Sequence, residues 1–204
     1  MTTTAPRKQG RRGRPGYDLE QVLEVAAHLF YERGYDGTSM EELSKRLGLT
    51  KAAIYHHVAG KEELLKLIVD RALEGLFAIA DEVRDAEGPA VERLERLVRG
   101  AVHVLADRLP FVTVLLRVRG NTTVEREALD RRRRFDRRVT ELVKQAQAEG
   151  DVRSDLDPAT AARLLFGLVN SLIEWYRPER EWAADDLADV VVEVAFDGLR
   201  SAAH

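Results

Sequence analysis

Cysteine is absent from all 204 residues, which excludes disulfides, iron–sulfur clusters and thiolate zinc sites. No apolar run approaches the roughly 20 residues that span a bilayer, and the N-terminal segment lacks the apolar stretch of a secretory signal. Sustained apolar–polar alternation is missing, and the Asp36-Gly37 pair falls between helical patterns rather than between strands. There is no internal repeat. Catalytic fingerprints are missing too: no nucleophile elbow, phosphate loop, dinucleotide fingerprint or His-Glu-x-x-His. The five histidines stand in no acid–base constellation. These absences predict a cytoplasmic, all-α protein with no catalytic residues, no metal, no cofactor and no membrane segment.

What is present is a chain with 45% hydrophobic residues, enough for a sizeable core, and 33% charged residues, a share common in helix-rich proteins. The net charge is −3, but its distribution matters more than its sum. Residues 1–16 hold Arg7, Lys8, Arg11, Arg12 and Arg14 and no acid, while the chain beyond residue 60 is net acidic. An acidic body with a local basic surface discourages indiscriminate binding to polyanions.

Periodicity and end signals predict about nine helices, over 18–33, 39–47, 51–57, 61–80, 90–106, 110–117, 124–149, 158–176 and 183–199. Asp18 and Thr50 are helix caps by type, and Ser39 with Glu42 forms the Ser-x-x-Glu capping box. Gly48 stands where a left-handed turn would close the second helix. The segment Leu43 to Tyr55 therefore reads helix, tight turn, helix. We divide the chain into a basic arm (1–16), a helix-turn-helix unit (17–60) and a helical domain for ligand binding and dimerisation (61–204).

A short helix that enters the major groove needs small residues where it nears the bases, and Ala52 and Ala53 are small. Lys51 can reach a guanine edge or a phosphate, Thr50 suits a phosphate or a base edge, and Tyr55 and His56 suit flanking phosphates. Neighbouring histidines on a helix point about 100° apart, so His56 and His57 make a poor metal pair. In the arm, Arg11-Arg12-Gly13-Arg14-Pro15 resembles the Arg-Gly-Arg-Pro core of AT-hook peptides. That points Arg12 and Arg14 to a narrow A/T minor groove, the alternative being a solubilising tail.

The stretch Phe30 to Leu65 resembles the DNA-binding domain of the tetracycline-repressor (TetR) family. The resemblance rests on the Phe-x-x-x-Gly-Tyr end of the first helix and on Gly37-Thr38-Ser39. It continues through Leu-Gly-Leu-Thr-Lys-Ala-Ala-Ile-Tyr-His-His at residues 47–57 and Lys61-Glu62-Glu63-Leu64. Val58 departs from it, standing where many members carry Phe. The resemblance implies backbone contacts from Thr38, Tyr55, His56 and Lys61, and base contacts from Lys51 and Ala52. It also implies a repressor that a small molecule releases from an inverted-repeat operator.

The C-terminal half is less explicit. The helix over 158–176 is apolar around most of its circumference, and the last helix carries two apolar stripes. A helix apolar on two sides needs two partners. Leu168, Leu172, Val191 and Val194 are therefore expected in a homodimer seam. Arg119, Asn121, Asn170 and Trp175 are the expected ligand residues, combining an anion clamp, amides and an apolar wall. The run Arg131 to Arg138 reads either as an anion site or as a solvated face paired with Glu125, Glu127, Asp130, Asp136 and Glu141. The segment from Arg119 to Phe135 looks like family members that sense acyl-coenzyme A thioesters, which makes an acyl-CoA or other amphipathic acid the expected effector. The helix that starts at Lys61 is expected to be the one long element shared by both regions, and so to transmit release. On the residues alone a helical protein-interaction adaptor or an enzyme stays open as an alternative.

Overall fold

The computed structural model describes residues 18–178 and 182–197. Within them the chain folds as nine helices and no strand. They are α1 (Leu19–Arg33), α2 (Met40–Leu47), α3 (Lys51–Tyr55), α4 (Lys61–Asp85), α5 (Ala90–Asp107), α6 (Leu109–Arg117), α7 (Thr123–Glu149), α8 (Pro158–Trp175) and α9 (Ala184–Asp197). Among the described residues no helix is long and apolar enough to cross a membrane.

The helix starts follow local chemistry. Asp18 accepts from the Gln21 amide at 2.9 Å, Thr122 from Glu125 at 3.1 Å, and Asp157 from Thr160 at 2.8 Å, each satisfying an amide that the first turn leaves unpaired. α3 stops at Tyr55, two residues short of the expectation. The amides of His57 and Val58 both turn back onto the Ile54 carbonyl, at 2.9 and 3.2 Å, and this swings Val58 into the core. The expected end of the last helix, at Leu199, lies outside the described residues.

α4 runs through the middle of the molecule and packs on α1, α5, α6 and α7. Its Leu64, Leu65, Ile68, Ala72 and Leu73 are essentially inaccessible. Where α4 meets α5 the packing is close: a Cβ on Gly100 would lie 2.7 Å from the Ile79 side chain, so any larger residue would have to displace it. A second, short element also joins the two regions, beside the long α4. The short apolar helix α6 packs along α1 on one side and against α4, α5 and α8 on the others. Nearly all of α6 is apolar, so both of its sides find partners.

α8 and α9 have two sides as well, but they divide the expected seam residues unequally. Leu172 and Val191 are 1% and 5% exposed and belong to the chain's own core. Leu168 is half-buried, whereas Val194 is 61% and Leu164 69% exposed, with Val190 and Trp175 also at the surface.

Candidate nucleic-acid interface and effector cavity

The turn between α2 and α3 is fixed from both ends. Ser39 and Glu42 cap α2 reciprocally, Ser39 Oγ accepting from the Glu42 amide and Glu42 from the Ser39 amide. Gly48 takes the left-handed conformation (φ 64°, ψ 28°), and the Leu49 amide closes onto the Ser44 carbonyl at 3.1 Å. Thr50 Oγ1 then accepts from the Ala53 amide at 3.2 Å. Ile54 is fully buried beside Leu43, Leu47 and Val58, which orients the short helix. Its opposite side presents Lys51, Ala52, Tyr55 and His56 to solvent, with Tyr55 50% exposed. Side chains of the types that read base edges and phosphates thus stand together on one convex surface.

Carboxylates hold this surface's cations in place. Glu41 pairs with Lys45 at 2.9 Å and with Lys51 at 3.5 Å, and its hydrogen bond from Lys45 keeps its carboxyl below the usual range. These pairs are exposed and individually weak, so a phosphate can compete for either lysine.

Two of the expected DNA contacts make hydrogen bonds within the chain. The Thr38 side chain is buried, and its hydroxyl donates to the Gly34 carbonyl at 2.9 Å. Lys61 turns inward: its Nζ donates to the carbonyls of Tyr35 and Thr38, at 2.9 and 3.1 Å, and sits 4.2 Å above the Tyr35 ring. Both residues fasten α4 and the α1–α2 turn to each other. Arg12 and Arg14 lie outside the described residues.

The four expected ligand residues are not brought together. Asn170 lines a small, mostly apolar cavity of about 40 Å³ between α4, α5, α6, α7 and α8, with the exposed Asp136 at its edge. Arg119 and Asn121 line a separate cleft of about 640 Å³ between the α1–α2 turn and the α6–α7 loop. Trp175 is at the surface of α8. The loop has its own purpose: Glu125, buried and expected to be a surface partner of the arginine run, accepts the amides of Arg119, Gly120 and Asn121 at 2.7–3.0 Å.

The cavity's polar groups are Arg132, Asp136 and Asn170, against walls that include Phe135, Phe166 and Leu115. Arg132 is half-buried and makes no hydrogen bond among the described residues. Desolvation pushes its guanidinium downward and the Asp136 carboxyl upward, while the attraction between the two opposes both shifts. Within the arginine run only the four-residue offset between Arg132 and Asp136 marked this pair, and the run's surface reading obscured it.

A family model of tetR-family bacterial regulatory proteins matches residues 22–68, and one of the tetracyclin repressor-like C-terminal domain matches residues 87–199. The chain is 26% identical over 202 residues to the HTH-type transcriptional repressor KstR2 of Rhodococcus jostii, covering 97% of this chain and 98% of the relative. A solved TetR-family regulator from Streptomyces coelicolor A3 is 56% identical, with a TM-score of 0.81, covering 88% of this chain and 91% of that one. AibR, solved in complex with isovaleryl coenzyme A and operator DNA, is 28% identical, with a TM-score of 0.75, covering 87% and 97%.

Proposed function

The chain belongs to the tetracycline-repressor family of DNA-binding transcriptional regulators, and on that premise we propose that it is a repressor that a small amphipathic acid releases from its operator. The observation that carries the reading is the surface of α3. Lys51 and Ala52 face outward to meet base edges, and Tyr55 and His56 to meet phosphates, from a helix that Gly48 and Ile54 hold in one orientation. Residues 17–60 are the DNA-binding unit, with the first turns of α4 as its floor, and residues 1–16 are a basic arm whose Arg12 and Arg14 reach the minor groove. Residues 61–204 bind the effector and a second copy of the chain, in the cytoplasm where the operator is.

In the dimer, Leu164, Leu168 and Val194 meet their two-fold mates, while Leu172 and Val191 support the seam from inside. Two α3 helices then face half-sites about 34 Å apart, or a multiple of that, on an inverted repeat.

The effector class is an acyl-CoA or a related acid. AibR binds an acyl-coenzyme A, and this chain's cavity combines apolar walls with a guanidinium that has no ion-pair partner at contact distance. The cavity is far smaller than the roughly 300–1,000 Å³ of ordinary ligand sites. An effector must therefore displace a lining helix, and α6, one of them, is packed on α1.

Titration of DNA from around the protein's own coding region tests the reading. The expected result is tight, salt-dependent binding to an inverted repeat. Tyr55→Ala should weaken binding to all sequences about equally, and Lys51→Ala should also relax base preference, by about 1–3 kcal/mol at the contacted position. Unchanged operator affinity in both variants at fixed salt would overturn it.

A further inference from the structure

The arginine run on α7 has a second side that the cavity does not use. Arg131, Arg134 and Arg138 recur at helical spacing and, with Arg137, line one wall of an open groove of about 980 Å³; Arg84 of α4 and Arg93 of α5 complete the rim. Carboxylates line the groove too, Glu74, Asp81 and Glu141, the last held by Lys144 at 2.7 Å, and only some of the arginines are neutralised. Asp81 takes Arg84 and Arg138, at 2.9 and 2.6 Å, and Asp70 takes Arg131. Arg134 and Arg137 have no hydrogen bond or ion pair among the described residues, and the Nε of Arg93 is buried without a partner. The floor beneath them is apolar, formed by Phe77, Leu97 and Leu142.

Cations around an apolar floor fit a particular chemistry. A single carboxylate would engage one guanidinium and leave the others unused. Several phosphates on a body with a flat, weakly polar face match several forked donors at once, with the face against Leu97, Leu142 and the Arg138 guanidinium that lies 4.9 Å over the Phe77 ring. The volume is at the upper end of the range for small-molecule sites. The groove also adjoins the cavity: the Phe77 ring is in edge contact with Phe135 at 6.0 Å, and Phe135 with Phe166 at 5.0 Å. One aromatic pair is thus part of the groove's floor and of the cavity's wall.

We propose that this groove between α4, α5 and α7 binds the nucleotide head group of an acyl-CoA effector, its phosphates on Arg134 and Arg137 and its apolar end directed at the Phe77–Phe135 wall. The proposal rests on the effector reading above and adds where the charged end sits. It makes head-group binding separable from acyl binding, since the groove lies outside the cavity.

Calorimetric titration of the full-length protein with coenzyme A carrying no acyl group tests it. Arg134→Glu/Arg137→Glu is the informative variant, because neither side chain supports another. Arg133→Glu is the control, on the same helix but away from the groove and paired with Asp130 at 2.7 Å. The expected result is measurable binding by the wild-type protein, weakened about tenfold or more in the double variant and less than about twofold in the control. Pyrophosphate should bind more weakly than coenzyme A, because it cannot use the floor. Equal losses in double variant and control, equal affinity for pyrophosphate, or no binding of coenzyme A would each overturn the groove assignment. Operator release separates this from the effector reading. If acyl-CoA releases the operator equally from wild type and double variant, the effector reading stands and the groove assignment falls. If coenzyme A binds through Arg134 and Arg137 but no acyl-CoA releases the operator, the groove stands and the effector reading falls.

Discussion

Arg117, the last residue of α6, donates a hydrogen bond to the Tyr31 carbonyl of α1 at 3.0 Å and lies over the Tyr31 ring. Earlier on the same helix, Val112, Leu115 and Leu116 line the cavity proposed for the effector. A short helix thus has its side in the cavity and its end on the DNA-binding unit. Displacing α6 strains or breaks the Arg117–Tyr31 contact, whereas displacing α4 must also move Lys61, which grips Tyr35 and Thr38.

Arg117→Ala should therefore reduce communication more than it reduces either binding event. Operator affinity and effector affinity measured separately should each change less than about threefold, while the factor by which effector weakens operator binding should fall by about 0.5–2 kcal/mol. Fluorescence titrations of the four combinations give that factor. An unchanged coupling factor would remove α6 from the path.

Lys61→Met should behave as a folding variant. It removes two charge-assisted hydrogen bonds and the contact with the Tyr35 ring, at a half-buried position, for a loss of about 1–3 kcal/mol in urea unfolding. The salt dependence of operator binding should keep its slope. Unchanged stability together with a slope shallower by about one would instead make Lys61 a phosphate contact.

Glu125→Ala should loosen the α6–α7 loop. One buried carboxylate oxygen accepts three consecutive amides there, and partly exposed amides regain water when it is gone, so the expected cost is about 2 kcal/mol. Hydrogen exchange at Arg119, Gly120 and Asn121 should accelerate together. A loss below about 0.5 kcal/mol would contradict this assignment.

Val194→Glu places a carboxylate on the exposed stripe of α9, where it costs a single chain little and a two-fold seam several kcal/mol, roughly. Sedimentation at micromolar concentration should show a dimer for wild type and a shift towards monomer for the variant, with unchanged helicity. Equal sedimentation would move the seam elsewhere.

The parts of this molecule that follow short-range rules were legible in the sequence. Asp18, Ser39 with Glu42, Gly48 and Thr50 each act within four residues, and they set the starts of α1, α2 and α3 and the end of α2 where the pattern put them. Side chains whose role depends on a distant partner were not legible. Lys61 bonds carbonyls 23 and 26 residues away, so its positive charge in a DNA-binding segment pointed outward on paper and inward in the fold. Glu125 resembled one more acid opposite the arginine run, because nothing in its spacing tells that the loop before it folds back onto the carboxylate. Arg119 and Asn170 were grouped by chemistry, yet α6 separates the cleft of one from the cavity of the other.

If an acyl-CoA and the operator compete through the fold, each weakens the other. Titrating the inverted-repeat operator with the dimer, with and without a saturating acyl-CoA from a panel of chain lengths, measures this directly. At least one thioester should weaken operator binding about 5–150-fold, and the operator should weaken binding of that thioester by the same factor. Operator affinity unchanged by every member of the panel would contradict it.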